Sequence, residues 1–121
     1  MADKKYLTLP ELNQVEPHLD SWMYETQRLY EEAVQKYIVF KENHINCIIK
    51  YDNKLADEIQ KLKGEKYKVT IIKEIAQKEC ADEYKDMLLA EAQKKKYTMW
   101  VSAMQERINM LKYLMKRKYS D

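Results

Sequence analysis

Glycine occurs once in this 121-residue chain, proline twice and phenylalanine once. So few breakers leave almost no place to turn, which excludes a loop-rich or many-stranded fold. Two cysteines, Cys47 and Cys80, are too few for a disulfide scaffold, and each lies in a stretch of helical periodicity, so free packed thiols are expected. No apolar run approaches the roughly 18 residues that a membrane helix needs, and "MADKKYLTLP" has no apolar stretch to serve as a leader. A soluble, cytoplasmic chain is the expectation, on a length that suits one domain.

What is present is charge. Lysine, arginine, aspartate and glutamate make up 35% of the chain, the composition of long helices. The net charge of +2 hides an asymmetry: residues 1–60 carry 7 basic and 11 acidic side chains, residues 61–121 carry 15 and 9. The second half therefore fits an acidic partner, or pairs with the first half.

The order of elements follows from the punctuation. In "TLPE", Thr8 caps a short helix over about 9–15, with Pro10 in its first turn and Glu11 reaching back, and Pro17 breaks it. From about 18 to 62 no breaker occurs, and Trp22, Leu29, Ala33, Tyr37, Phe40, Ile48, Tyr51, Leu55, Ile59 and Leu62 recur in steps of 4 and 3 once positions 26 and 44 are filled. Gly64, at a left-handed helix end, and Thr70, as a cap, mark a turn over about 63–70. A second long helix follows over about 71–117, with Tyr97, Val101, Met104, Ile108, Leu111 and Met115 as its seam. It has a candidate break near 81–82, where Asp82 in "CADEY" is a second cap.

The expected fold class is all-α: a long antiparallel helical hairpin with a short N-terminal helix. That hairpin sets 94–118 against about 13–37, where Glu16, Asp20, Glu25, Glu31 and Glu32 offset part of the basic charge. Apolar residues off the two seams, among them Ile38, Val39, Ile45, Ile49, Leu89, Met110 and Leu114, make the faces too wide for two helices. Self-association or a partner is expected to cover them.

Catalytic chemistry has little to hold on to. There is no glycine-rich phosphate loop, no GxSxG and no HExxH, and the only histidines are His18 and His44, so no enzyme and no cofactor is expected. His44, Cys47 and Cys80 sketch a metal site, but zinc needs a fourth ligand and closely spaced ligand pairs are absent; packed residues are the expectation, and no metal.

Basic residues interleaved with aromatics are the strongest functional sign. One group, Lys61, Lys63, Lys66 and Lys68 with Tyr67, surrounds the turn. A second, Lys95, Lys96, Arg107, Lys112, Lys116, Arg117 and Lys118 with Tyr119, follows the last helix. Such side chains can follow a single-stranded phosphate backbone while rings stack on bases. In "KKKYTMW" the three lysines fan over roughly 200° of helix. Lys94 and Tyr97 fall on the seam and Trp100 borders it, which leaves Lys95 and Lys96 for external contact.

The layout "YEEAVQKYIVFKENH", then "GEKYKVT", then "IIKEIAQKECADEYKDMLLAEAQKKKYTMWVSAMQERINMLKYLMKRK" resembles small phage-encoded helical recombination mediators of the UvsY type over about residues 24–118. The resemblance implies an oligomeric helical protein that binds single-stranded DNA, helps to load a recombinase and cooperates with a single-strand-binding protein. The lysines of the turn and of the last helix would take the DNA-contact role. The competing expectation is a structural or protein-binding module, such as an assembly factor, chaperone or inhibitor, that lays an apolar helix face on a partner.

Overall fold

The computed structural model describes residues 12–65 and 67–119, and all regular structure among them is helical. Helix α1 is Leu12–Val15, followed by a 3-10 turn at Glu16–His18, α2 at Leu19–Lys63, α3 at Val69–Glu79 and α4 at Ala81–Tyr119. The start of the expected first helix, with Thr8, Pro10 and Glu11, lies outside the described residues. No described helix is long and apolar enough to cross a membrane.

Pro17 tightens the chain without breaking it. Val15 (φ −82°, ψ −44°) and Leu19 (φ −56°, ψ −40°) on either side of the 3-10 turn are both right-handed helical. In a first turn the N–H that proline lacks has no intrahelical partner to lose.

The chain groups into two compact units where a single domain is the sequence expectation, and each unit has its own packing. The first comprises residues 1–37 and 96–121. Its core is Val15, Leu19, Trp22, Leu111 and Leu114, with Met23, Met110 and Met115 packed against it. Thr26, Leu29 and Ala33 of α2 and Met104 and Ile108 of α4 are buried as well. The α2 set falls on the 4-and-3 seam, Thr26 included, as it must if one face is to leave water. Leu114 and Met110 do not form an outer face. Val15 of α1 packs with Leu19 and Trp22 of α2 against Leu111 and Leu114, which widens the buried face of α4 beyond a two-helix seam.

The second unit spans residues 38–95. Here α2 presents half-buried Ile48, Tyr51, Leu55, Ile59 and Leu62, while Ile72, Ala76, Cys80 and Ala90 are buried. Small residues at 76, 80 and 90 permit close approach of backbones. The turn closes through Glu65 N–H donating to the Leu62 carbonyl at 3.0 Å. Gly64 is not in the left-handed region, and a Cβ there would meet only the Lys61 carbonyl oxygen at 3.5 Å. Thr70 is not the cap either: the N-cap is Lys68 in extended geometry, with no side-chain bond, and its carbonyl accepts from Ile71 and Ile72 N–H.

Cys80 makes the break between α3 and α4, just before the expected position. Its N–H donates to the Ala76 and Gln77 carbonyls at 3.1 and 3.2 Å, and its carbonyl accepts from Tyr84 N–H at 2.9 Å. With φ −100° and ψ 17° it ends one helix and starts the next, so Asp82 falls within the first turn of α4, where a carboxylate favours the helix dipole.

Candidate nucleic-acid interface

Within the first unit, α4 from residue 96 to 119 carries six basic side chains and one acidic, Glu106. This excess gives residues 96–119 a positive local charge. Lys96, Lys112, Lys116, Arg117 and Lys118 are exposed. Arg107 is half-buried, and burial holds its guanidinium below the usual range. On an ideal helix Lys112 and Lys116 lie within about 40° of one another, whereas Arg107, Arg117 and Lys118 fall to other sides. The basic residues of this helix therefore share no single stripe.

Of the acids expected to offset this charge, Glu16 lines a hollow together with Arg117 and Lys118. Glu25 engages Arg28 of its own helix at 3.3 Å, and Asp20, Glu31 and Glu32 are exposed.

The aromatics divide. Tyr97 and Trp100 are half-buried and pair with each other, ring centroids 6.1 Å apart, so they serve packing. Lys96 lies over the Tyr97 ring at 5.6 Å, and Lys118 over the Tyr119 ring at the same distance. Tyr113 and Tyr119 are 65% exposed, which makes them the rings of this helix that a base can reach. A hollow at the end of the first unit is lined by Glu16, Pro17, Leu19, Leu114, Arg117 and Lys118, so residues 16–19 lie beside 114–118.

In the second unit Lys61, Lys63, Lys68 and Tyr67 are exposed, while Lys66 lies outside the described residues. Lys61 stands 3.5 Å from Glu58, and Lys95 stands 3.3 Å from Glu91 on its own helix. Exposed intrahelical pairs of this kind are worth little and leave both lysines available. Lys94 is half-buried, in keeping with its seam position.

Side chains that a search for charge overlooks lie between the lysines. Ser102, Gln105 and Asn109 are exposed on α4 and continue the 3-and-4 spacing into Lys112, Lys116 and Tyr119. These positions lie on the flank of the helix, centred roughly 95° from the seam.

The apolar residues expected at an interface also divide. Ile38, Val39, Ile45, Ile49 and Leu89 are 44–58% exposed, whereas Met110 and Leu114 belong to the core of the first unit. Ile38, Ile45 and Ile49 lie within about 40° of each other on α2, centred about 100° from the half-buried residues of that helix in the second unit.

Elsewhere in the second unit, Tyr51, Glu74, Gln77, Lys78, Ala81 and Tyr84 line an open hollow. His44 and Cys47 are half-buried on the inner side of α2, and Cys80 is buried, its thiol pushed up by that burial. Among the described residues no three histidine, cysteine or carboxylate side chains converge as metal ligands would. Comparison with protein-family models, curated proteins and solved structures gave no match to this chain.

Proposed function

We propose that this chain is a non-enzymatic, self-associating helical protein that binds single-stranded DNA and assists recombination or replication in the cytoplasm. The observation that carries the reading is the charge of α4: six cations against one anion between residues 96 and 119, most of them exposed, with Tyr113 and Tyr119 beside them. Cations of this density release counterions from a phosphate backbone, and exposed rings stack on unpaired bases without regard to sequence. The likeness to UvsY-type mediators adds the expected partners, a recombinase and a single-strand-binding protein. Fluorescence anisotropy of a labelled single strand tests it: binding that weakens as salt rises supports the reading, and no binding at low salt refutes it.

A second reading has its own observation. Ile38, Ile45 and Ile49 form an exposed apolar stripe on one flank of α2, which suits a structural or partner-binding module. It predicts that Lys95→Glu with Lys96→Glu leaves partner binding intact.

A further inference from the structure

We infer that the DNA-contacting element of this chain is a mixed donor stripe on α4, made of Ser102, Gln105, Asn109, Lys112, Lys116 and Tyr119, which holds the phosphates of a single strand as much by neutral hydrogen bonds as by charge. The inference rests on the single-stranded-DNA reading and adds to it the residues and the kind of contact.

The stripe follows from helix geometry. Steps of 3, 4, 3, 4 and 3 keep these six positions within an arc of roughly 100°, and all six are exposed. Met104, Ile108, Leu111 and Leu114 occupy the buried side, centred about 120° away. Aspartate and glutamate are 20 of the 121 residues, and the stripe holds neither. Glu106, the one acid on this part of α4, falls beyond its edge. A face offered to water alone has no reason to exclude acids. A face that meets phosphates does, because each carboxylate would repel the strand.

Every member can donate. The Ser102 hydroxyl, the Gln105 and Asn109 amides, the two ammonium groups and the Tyr119 hydroxyl all suit phosphate oxygens, and such groups fix a backbone without reading sequence. Tyr119 also offers a ring to an unpaired base. Neutral donors displace no counterions. The stripe therefore binds with a weak salt dependence, about −0.7 in log K per log salt for each cation engaged, or about −1.4 per protomer for Lys112 and Lys116. All eleven basic residues named from the sequence would give a slope of about −8.

The test measures anisotropy of a labelled mixed-sequence single strand, against salt, for the native chain, for S102A/Q105A/N109A and for K112Q/K116Q. Alanine at exposed helix positions favours helix, and unfolding curves check that the variants fold. The expected result is a slope near −1.4 for the native chain, an affinity loss of tenfold or more with the slope unchanged for the alanine variant, and a slope near zero for the glutamine variant. A native slope near −8, or an alanine variant that binds within twofold of native, overturns the stripe while leaving DNA binding in place. Failure of the native chain to bind at all overturns the functional reading and the stripe with it. An alanine variant that changes the mass in light scattering but not the DNA affinity also overturns the stripe, because the face then belongs to another copy.

Discussion

Lys54 Nζ stands 2.9 Å from Glu83 Oε1, and the same ammonium donates at 3.1 Å to the Glu79 carbonyl, so one side chain of α2 ties the end of α3 to the start of α4. It neutralises a carbonyl at a helix C-terminus and a carboxylate in a helix first turn. Tyr51 and Tyr84, with ring centroids 5.6 Å apart, pack beside it.

That pair makes stability depend on pH with a defined sign. The hydrogen bond from Lys54 holds the Glu83 carboxyl below its usual 4.5, so its contribution is present above that value and lost as pH falls through the lowered one. The same bond to Glu83 raises Lys54 above 10.5, so its contribution is present below that value and lost as pH rises through the raised one. In Lys54→Met the melting temperature should fall most between about pH 5 and 10, with the difference from native narrowing below pH 4. A difference that stays constant down to pH 2 would show that the pair is not its source.

Leu114 separates a core residue from an interface residue. It is 7% exposed within the first-unit core, so Leu114→Ala should cost about 2–5 kcal/mol in urea unfolding, and Leu111→Ala, fully buried, a similar amount. Ile38→Ala, at a position 48% exposed, should stay within about 0.5 kcal/mol when measured at concentrations where the chain is monomeric. Equal costs for Leu114→Ala and Ile38→Ala would contradict this division.

Thr26 fills a seam position with a hydroxyl that is fully buried and has no hydrogen-bond partner among the described residues. An unmet buried donor costs about 1–3 kcal/mol. Thr26→Val removes the hydroxyl at nearly constant shape and should raise stability by about 1 kcal/mol in urea unfolding. A loss on this substitution would mean that the hydroxyl is satisfied.

The helical architecture was legible because one glycine and two prolines leave few ways to interrupt a helix, and because a buried face must recur in steps of 3 and 4. The same logic placed Lys94 on the seam and Lys95 and Lys96 outside it, and their burial follows that order. Local chemistry was harder to read. Gly64 has the composition of a left-handed cap without the geometry, since its φ does not lie in the left-handed region. Thr70 looks like a cap, but α3 begins two residues earlier than that cap implies and Lys68 takes the position. Leu114 and Met110 lie off the two-helix seam, and they pack in a cluster that includes Val15 of α1 and the first turn of α2, which a seam pattern starting at Trp22 omits. The proposed contacts of Ser102, Gln105 and Asn109 leave no mark in a charge count, because neutral residues add nothing to it.

The most direct measurement is anisotropy of a labelled single strand at about 50 mM salt, with the native chain beside Lys112→Glu/Lys116→Glu and Ile45→Ser/Ile49→Ser. The account predicts that the native chain binds, that reversing the two lysine charges lowers affinity by at least a hundredfold, and that the isoleucine variant keeps its affinity for the strand within a few fold. Native binding that is absent, or that survives the charge reversal unchanged, would contradict it.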